Sequence, residues 1–172
     1  MSMMPRTFRH DQQGASIIEF ALMAPILLAL LLGAVTLFDL FRNLQSVEKA
    51  TFTVGDMMSR ELAMDQTKLA SMLTLVKKMV PTASDGGLRV SSVTKTGGNL
   101  HVNWSKPVGS SIPTTPVSTA NLPAIAEGDT VLITESFVPH RAFVDTFGLD
   151  AVVFSASAVH RPRFVNSMSF PN

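Results

Sequence analysis

Gly14-Ala15-Ser16-Ile17-Ile18-Glu19-Phe20 leads into nineteen residues, Phe20 to Phe38, that carry no charge. A helix of nineteen residues rises about 28 Å at roughly 1.5 Å per residue, close to the ~30 Å hydrocarbon layer of a bilayer. The run therefore predicts a membrane span. Glu19 at its start is the unusual residue, because an acid at membrane depth is costly and calls for a partner that compensates it. The competing expectation for Glu19 is an interfacial acid whose carboxylate reaches the water layer.

A cleaved secretory signal is the main competitor for the span. Its apolar region runs only about 7 to 15 residues and ends in a small-x-small site. The run here is longer, and no good site follows. Orientation is not fixed by basic residues, since Arg6 and Arg9 precede the span while Arg42 and Lys49 follow it. A short polar tail ahead of a single span favours a cytoplasmic N-terminus, with the larger domain outside the cytoplasm. Met3 and Met4 stand beside Met1 as alternative start positions.

Beyond the span, about 130 residues remain, enough for one compact domain. Of the 172 residues 46% are hydrophobic, and 14 basic residues balance 13 acidic ones for a net charge of +1. No basic run exceeds Lys77-Lys78, so the electrostatic footprint of a nucleic-acid binder is missing. The chain has no cysteine, which excludes disulfides, thiol catalysis and thiolate metal sites.

The apolar pattern does not stop at Phe38. Leu40, Leu44, Val47, Val54, Met58 and Leu62 recur at intervals of three and four, with Thr51 in the same row. That is helical spacing, and it predicts one long helix whose outer half is amphipathic. Gly55 weakens such a helix by about 1 kcal/mol relative to alanine, which predicts a bend there. Asp65 caps a second helix, Gln66 to Val80, which ends before Pro81. Met57, Met58, Met64, Met72 and Met79 are expected to fill irregular gaps in the helical core, or else to line an interface with another subunit.

From Ser84 the composition shifts to glycine, serine, threonine and valine. Leu88 to Lys95, a Gly97-Gly98-Asn99 turn, and Leu100, Val102 and Trp104 alternating with polar residues predict a hairpin. Ser105 to Asp129, with Pro107, Pro113, Pro116 and Pro123, reads as a long surface loop. Thr130 to Val138 and Ala151 to Arg161 read as two more strands, separated by a loop holding Phe143, Phe147 and Gly148. The expected fold class is α+β: a long N-terminal helix, a second helix, and an antiparallel sheet of about four strands that covers the apolar stripe.

The segment from Gly14 to Pro25, Gly-Ala-Ser-Ile-Ile-Glu-Phe-Ala-Leu-Met-Ala-Pro, resembles the N-terminus of TadE-like proteins of the tight-adherence (Tad) pilus system, a branch of the type IV pilin superfamily. The combination carries the resemblance: a basic leader ending in glycine, glutamate fifth after it, an aromatic next, and proline inside the apolar run. Asp56-Met57-Met58-Ser59-Arg60 extends it. Val131 to Pro139 and the ending Val159-His160-Arg161-Pro162-Arg163-Phe164 add a weaker patch.

The resemblance implies cleavage by a membrane prepilin peptidase between Gly14 and Ala15, with Glu19, Phe20 and Pro25 serving assembly and recognition. Glycine before the scissile bond adds backbone freedom to unwind from the helix. The new amine on Ala15, with an ordinary pKa of about 7.7 to 8.0, would be opposite in charge to Glu19. A leader over 1–14, a transmembrane segment over 15–39 and a periplasmic pilin-like domain over 40–172 follow from it. The implied location is the bacterial inner membrane. Ala15 replaces the aromatic common after the cleavage site of conventional type IV pilins, no disulfide closes the C-terminal region, and major Tad pilins are much shorter. A minor pilin or pseudopilin that helps to initiate, cap or assemble the fibre fits better. Implied partners are the prepilin peptidase, other TadE/TadF-type pseudopilins, the Tad inner-membrane platform and the pilus fibre; the implied purpose is cell adhesion and biofilm formation. No cofactor is implied, and nucleic acid is not an expected partner.

The alternative is a single-pass, membrane-anchored periplasmic binding or sensing module. An enzyme is not expected: His10, His101, His140 and His160 lack metal-ligand spacing and are expected at the surface or in strands. Gly86-Gly87 and Gly97-Gly98 read as turns, not phosphate loops. Glu135, Asp145 and Asp150 stand isolated in the sequence. Arg161-Pro162-Arg163 reads either as a solvated strand end or as a docking point.

Overall fold

The computed structural model of the chain describes residues 12–120, 122–140 and 152–171, with side chains from Ser16 onward. Helix α1 spans Gln12–Ser59, and α2 spans Gln66–Met79. Four strands follow: β1, Gly87–Thr96; β2, Asn99–Gly109; β3, Thr130–Pro139; and β4, Val153–His160. The chain divides into two compact units, Met1–Phe38 and Asp39–Asn172.

The described part of the first unit, from Gln12 onward, is apolar helix. Ile17, Ile18, Phe20, Leu22, Ile26, Leu30 and Phe38 are all exposed. Among the described residues, α1 alone is long and apolar enough to cross a membrane. Pro25 lies inside α1. Its missing N–H removes one rung of the helical ladder, a defect that membrane helices tolerate better than soluble ones.

In the second unit the sheet is antiparallel in the order β2-β1-β3-β4. The outer half of α1 and all of α2 contribute to one core on the sheet. Val47, Ala50, Val54 and Met58 of α1 and Leu69, Leu73 and Val76 of α2 cluster with Leu88, Val90, Leu132, Val138 and Phe154. The α+β expectation and the covered stripe hold. Leu62 is the exception: α1 ends at Ser59, so Leu62 leaves the helical row and is 66% exposed. Met57 departs from the core expectation as well, since it is exposed while Met58 and Met64 are buried.

Asp65 caps α2 as expected, accepting from the Lys68 backbone N–H at 2.7 Å. Lys77 and Lys78 in the last turn complement the negative end of the helix dipole. The hairpin turns at Gly97 and Gly98, both at positive φ, where glycine carries no steric penalty. Strand β2 runs on to Gly109, through Pro107, which the sequence reading placed in a loop. The sheet order explains this: β2 is an edge strand, and proline is tolerated where one side of the ladder is unpaired.

The opposite sheet face has its own smaller cluster of Val93, Val131 and Ile133. It is covered by Val117 and Ile125 from the proline-rich segment. That segment is tied down by Arg89, whose guanidinium donates to the carbonyls of Thr115 at 2.5 Å and Pro113 at 3.3 Å.

Candidate functional site

The residues singled out in the sequence lie at the N-terminal end of α1. Gly14 and Ala15 lie within α1, near the N-terminal limit of the described residues. Ala15 and Glu19 are four residues apart on unbroken helix. That spacing places them on one face, about 6 Å apart along the axis. Glu19, Phe20 and Pro25 are exposed. Over the described side chains the site is thus a row along a helix surface, and its chemistry is suited to contact with other chains or lipid.

At the other end of α1 the helix is fixed to the sheet by close contacts. Thr51 Oγ1 lies 2.7 Å from the Val47 carbonyl and 2.9 Å from Ser136 Oγ of β3. One turn on, Gly55 is buried against β3 and β4: a Cβ built there would stand 2.6 Å from His160 Nδ1 and 3.2 Å from Thr134 Oγ1. Only glycine leaves the imidazole this space. The His160 ring stacks at a tilt on Phe52, with centroids 4.8 Å apart. Asp56 then accepts from Arg60 Nη2 at 2.7 Å and from Arg163 Nη2 at 2.5 Å. The Arg60 hydrogen bond, together with the charge of Arg163, holds the Asp56 carboxyl below its ordinary range, against an opposing desolvation effect.

Residues 14–55 match the family model of TadE-like proteins. The TadE-like match begins at Gly14 and ends at Gly55, so it takes in the candidate processing point, the apolar run, and the helix up to its contact with His160. It implies a pilin-like role associated with a Tad pilus, and membrane association through the apolar helix. No curated protein and no solved structure matches the chain.

The other sequence-selected residues are dispersed. Glu135 is not isolated: Arg89 Nε donates to its Oε2 at 2.7 Å, with both side chains largely buried. His101 is exposed on β2 and His160 lies on β4, as expected, but His140 is buried just past β3, its ring 4.9 Å from that of Phe154. His10, Asp145, Asp150, Phe143, Phe147 and Gly148 lie outside the described residues. Arg161 and Arg163 are exposed yet held, the first by Asp129 at 2.7 Å and the second by Asp56. Among the described residues no group of His, Asp and Glu is arranged to hold a metal ion.

The Gly55–His160 contact was missed in the sequence, although a signal for it exists. Gly55 follows Val54 on the buried side of an amphipathic helix, and a glycine there marks close approach of another backbone or ring as readily as it marks a bend.

Proposed function

We propose that this chain is a TadE-like minor pilin or pseudopilin that acts in assembly of a Tad-type adhesive pilus and is matured by a prepilin peptidase after Gly14. The observation that carries this reading is the match starting at Gly14 itself, with Glu19 four residues beyond Ala15 on a continuous helix whose next nineteen residues are uncharged. In this reading residues 1–14 are a cytoplasmic leader, 15–39 span the inner membrane, and 40–172 form the periplasmic domain. The division of the structure after Phe38 supports that layout.

Cleavage would leave a positive amine at Ala15, at the positive end of the helix dipole. That amine needs an anion. Glu19 supplies one, either within the chain or from a neighbouring subunit, and the pairing offsets the cost of an acid in hydrocarbon. Other TadE/TadF-type pseudopilins, the Tad inner-membrane platform and the fibre are the partners of this reading, and adhesion is its purpose.

The test is to express the chain with and without its cognate prepilin peptidase and read the mature N-terminus by mass spectrometry. A peptidase-dependent start at Ala15 supports the reading. An intact leader in the presence of active peptidase overturns the processing step and returns the chain to the class of permanently anchored modules.

A further inference from the structure

The contact between α1 and β4 contains polar atoms that are buried and unpaired. His160 Nδ1 and Nε2 and Thr134 Oγ1 are all shielded from solvent without a hydrogen-bond partner. All three belong to one spot, because the Gly55 position faces both the His160 ring and Thr134. A buried polar group left unmatched costs about 1–3 kcal/mol, so native structures rarely keep three together. The ring stacks on Phe52 on one side, and on another it fills the space that a Cβ at position 55 would take.

A neutral imidazole tolerates this site better than an imidazolium. Protonation adds a second N–H donor and a full charge where the unpaired polar group at hand is a neutral hydroxyl, Thr134 Oγ1, and burial accordingly pushes the His160 pKa below its ordinary value of 6.5. The surrounding charges do not rescue it. From α1, Asp56 favours the charged ring, but its carboxylate is already engaged by Arg60 and Arg163; Arg163, from the segment after β4, opposes the charge. Arg161 is paired with Asp129, which shares a cleft of about 230 Å³ with His160. From β3, the facing groups Leu132 and Thr134 are uncharged.

We propose that the α1–β4 contact is an acid-sensitive latch: protonation of His160 weakens the hold of the outer end of α1, from Val47 to Ser59, on the sheet. The sign follows from the direction of the shift. The unfolded or parted state binds the proton more tightly, so the latch is fully closed above about pH 6.5. It weakens as pH falls below that value, until the lower folded-state pKa is passed. Asp56 does not contribute in this window, because its carboxyl titrates below 3.8.

Hydrogen exchange on the full chain in detergent micelles, at pH 7.5 and pH 5.0 and corrected for intrinsic rates, tests this. Protection over 47–59 and over β4 is expected to fall at the lower pH, and by more than over α2. His160→Phe, which keeps a ring on Phe52 but cannot take a proton, is expected to abolish the loss; His160→Gln serves if the phenylalanine does not fold. His140→Gln is expected to leave the loss in place. An unchanged 47–59 segment, an equal loss in α2, a loss that persists in both His160 variants, or a His160 ring that titrates at or above 6.5 by NMR would overturn the proposal.

Discussion

Asp56 on α1 and Arg163 beyond β4 are 107 residues apart in sequence and 2.5 Å apart in space. Beside them the Arg163 backbone N–H donates to the Ser59 carbonyl at 2.8 Å. The chain after the last strand thus satisfies one of the carbonyls that the end of α1 leaves open. Because the Asp56 carboxyl is held below 3.8, its contribution to stability is present above that value and is lost as pH falls through the lower folded-state pKa. Asp56→Asn is expected to flatten the acid limb of the unfolding profile below about pH 4 and to leave the profile near neutrality almost unchanged. Thermal melts of the two proteins at stepped pH check this, and parallel acid limbs would contradict it.

Gly55→Ala separates two opposed effects. At an ordinary helix position alanine stabilises by about 1 kcal/mol. Here its Cβ would stand 2.6 Å from His160 Nδ1, so the ring must move. Overpacking of this kind costs about 1–3 kcal/mol, and the net expectation is destabilisation. Adding His160→Ala to Gly55→Ala should recover part of the loss, since the two residues meet. Urea titration of the single and double variants measures the coupling.

The helix-plus-sheet plan was legible because its signals are local. The 19-residue uncharged run, the three-and-four spacing from Leu40 to Met58, the Asp65 cap and the Gly97-Gly98 turn each act within a few residues. The pattern from Gly14 to Pro25 is local in the same way, and the family match over residues 14–55 begins at its first residue. What was hidden depends on the order of strands. Pro107 looked like a loop residue until β2 proved to be an edge strand, and Glu135 looked isolated until the β1–β3 register set it opposite Arg89. His160 and Gly55 meet only because β4 lies beside β3 under α1, a juxtaposition that no local pattern encodes.

The last residues are structural. Met168 is 1% exposed, its carbonyl accepts from Trp104 Nε1 at 2.8 Å, and Ser169 accepts from the Met64 backbone N–H at 3.0 Å. Phe170 stacks at a tilt on Trp104, with centroids 5.2 Å apart. This segment closes the core between β2 and the α1–α2 connection. Met168→Ala is expected to cost about 2–5 kcal/mol, as for other buried methionines, and Trp104→Phe about 1 kcal/mol for the lost hydrogen bond. Tryptophan fluorescence during urea unfolding follows the first. Far-UV circular dichroism serves the second, which has no tryptophan left.

Glu19→Gln bears on how the proposed pilus subunit assembles. The substitution keeps size and helix propensity nearly constant and removes only the charge. If Glu19 compensates the Ala15 amine across a subunit contact, its loss removes an interaction worth about 1–2 kcal/mol per contact in a membrane, or about tenfold in each association step. Piliation is expected to fall at least that far, while cleavage after Gly14 continues, because the acid acts after processing. Counting surface pili by electron microscopy, alongside mass spectrometry of the N-terminus, separates the two steps. A normal pilus count with complete cleavage would remove Glu19 from the assembly contact and leave it an interfacial acid. Failed cleavage would move its role back to recognition by the peptidase.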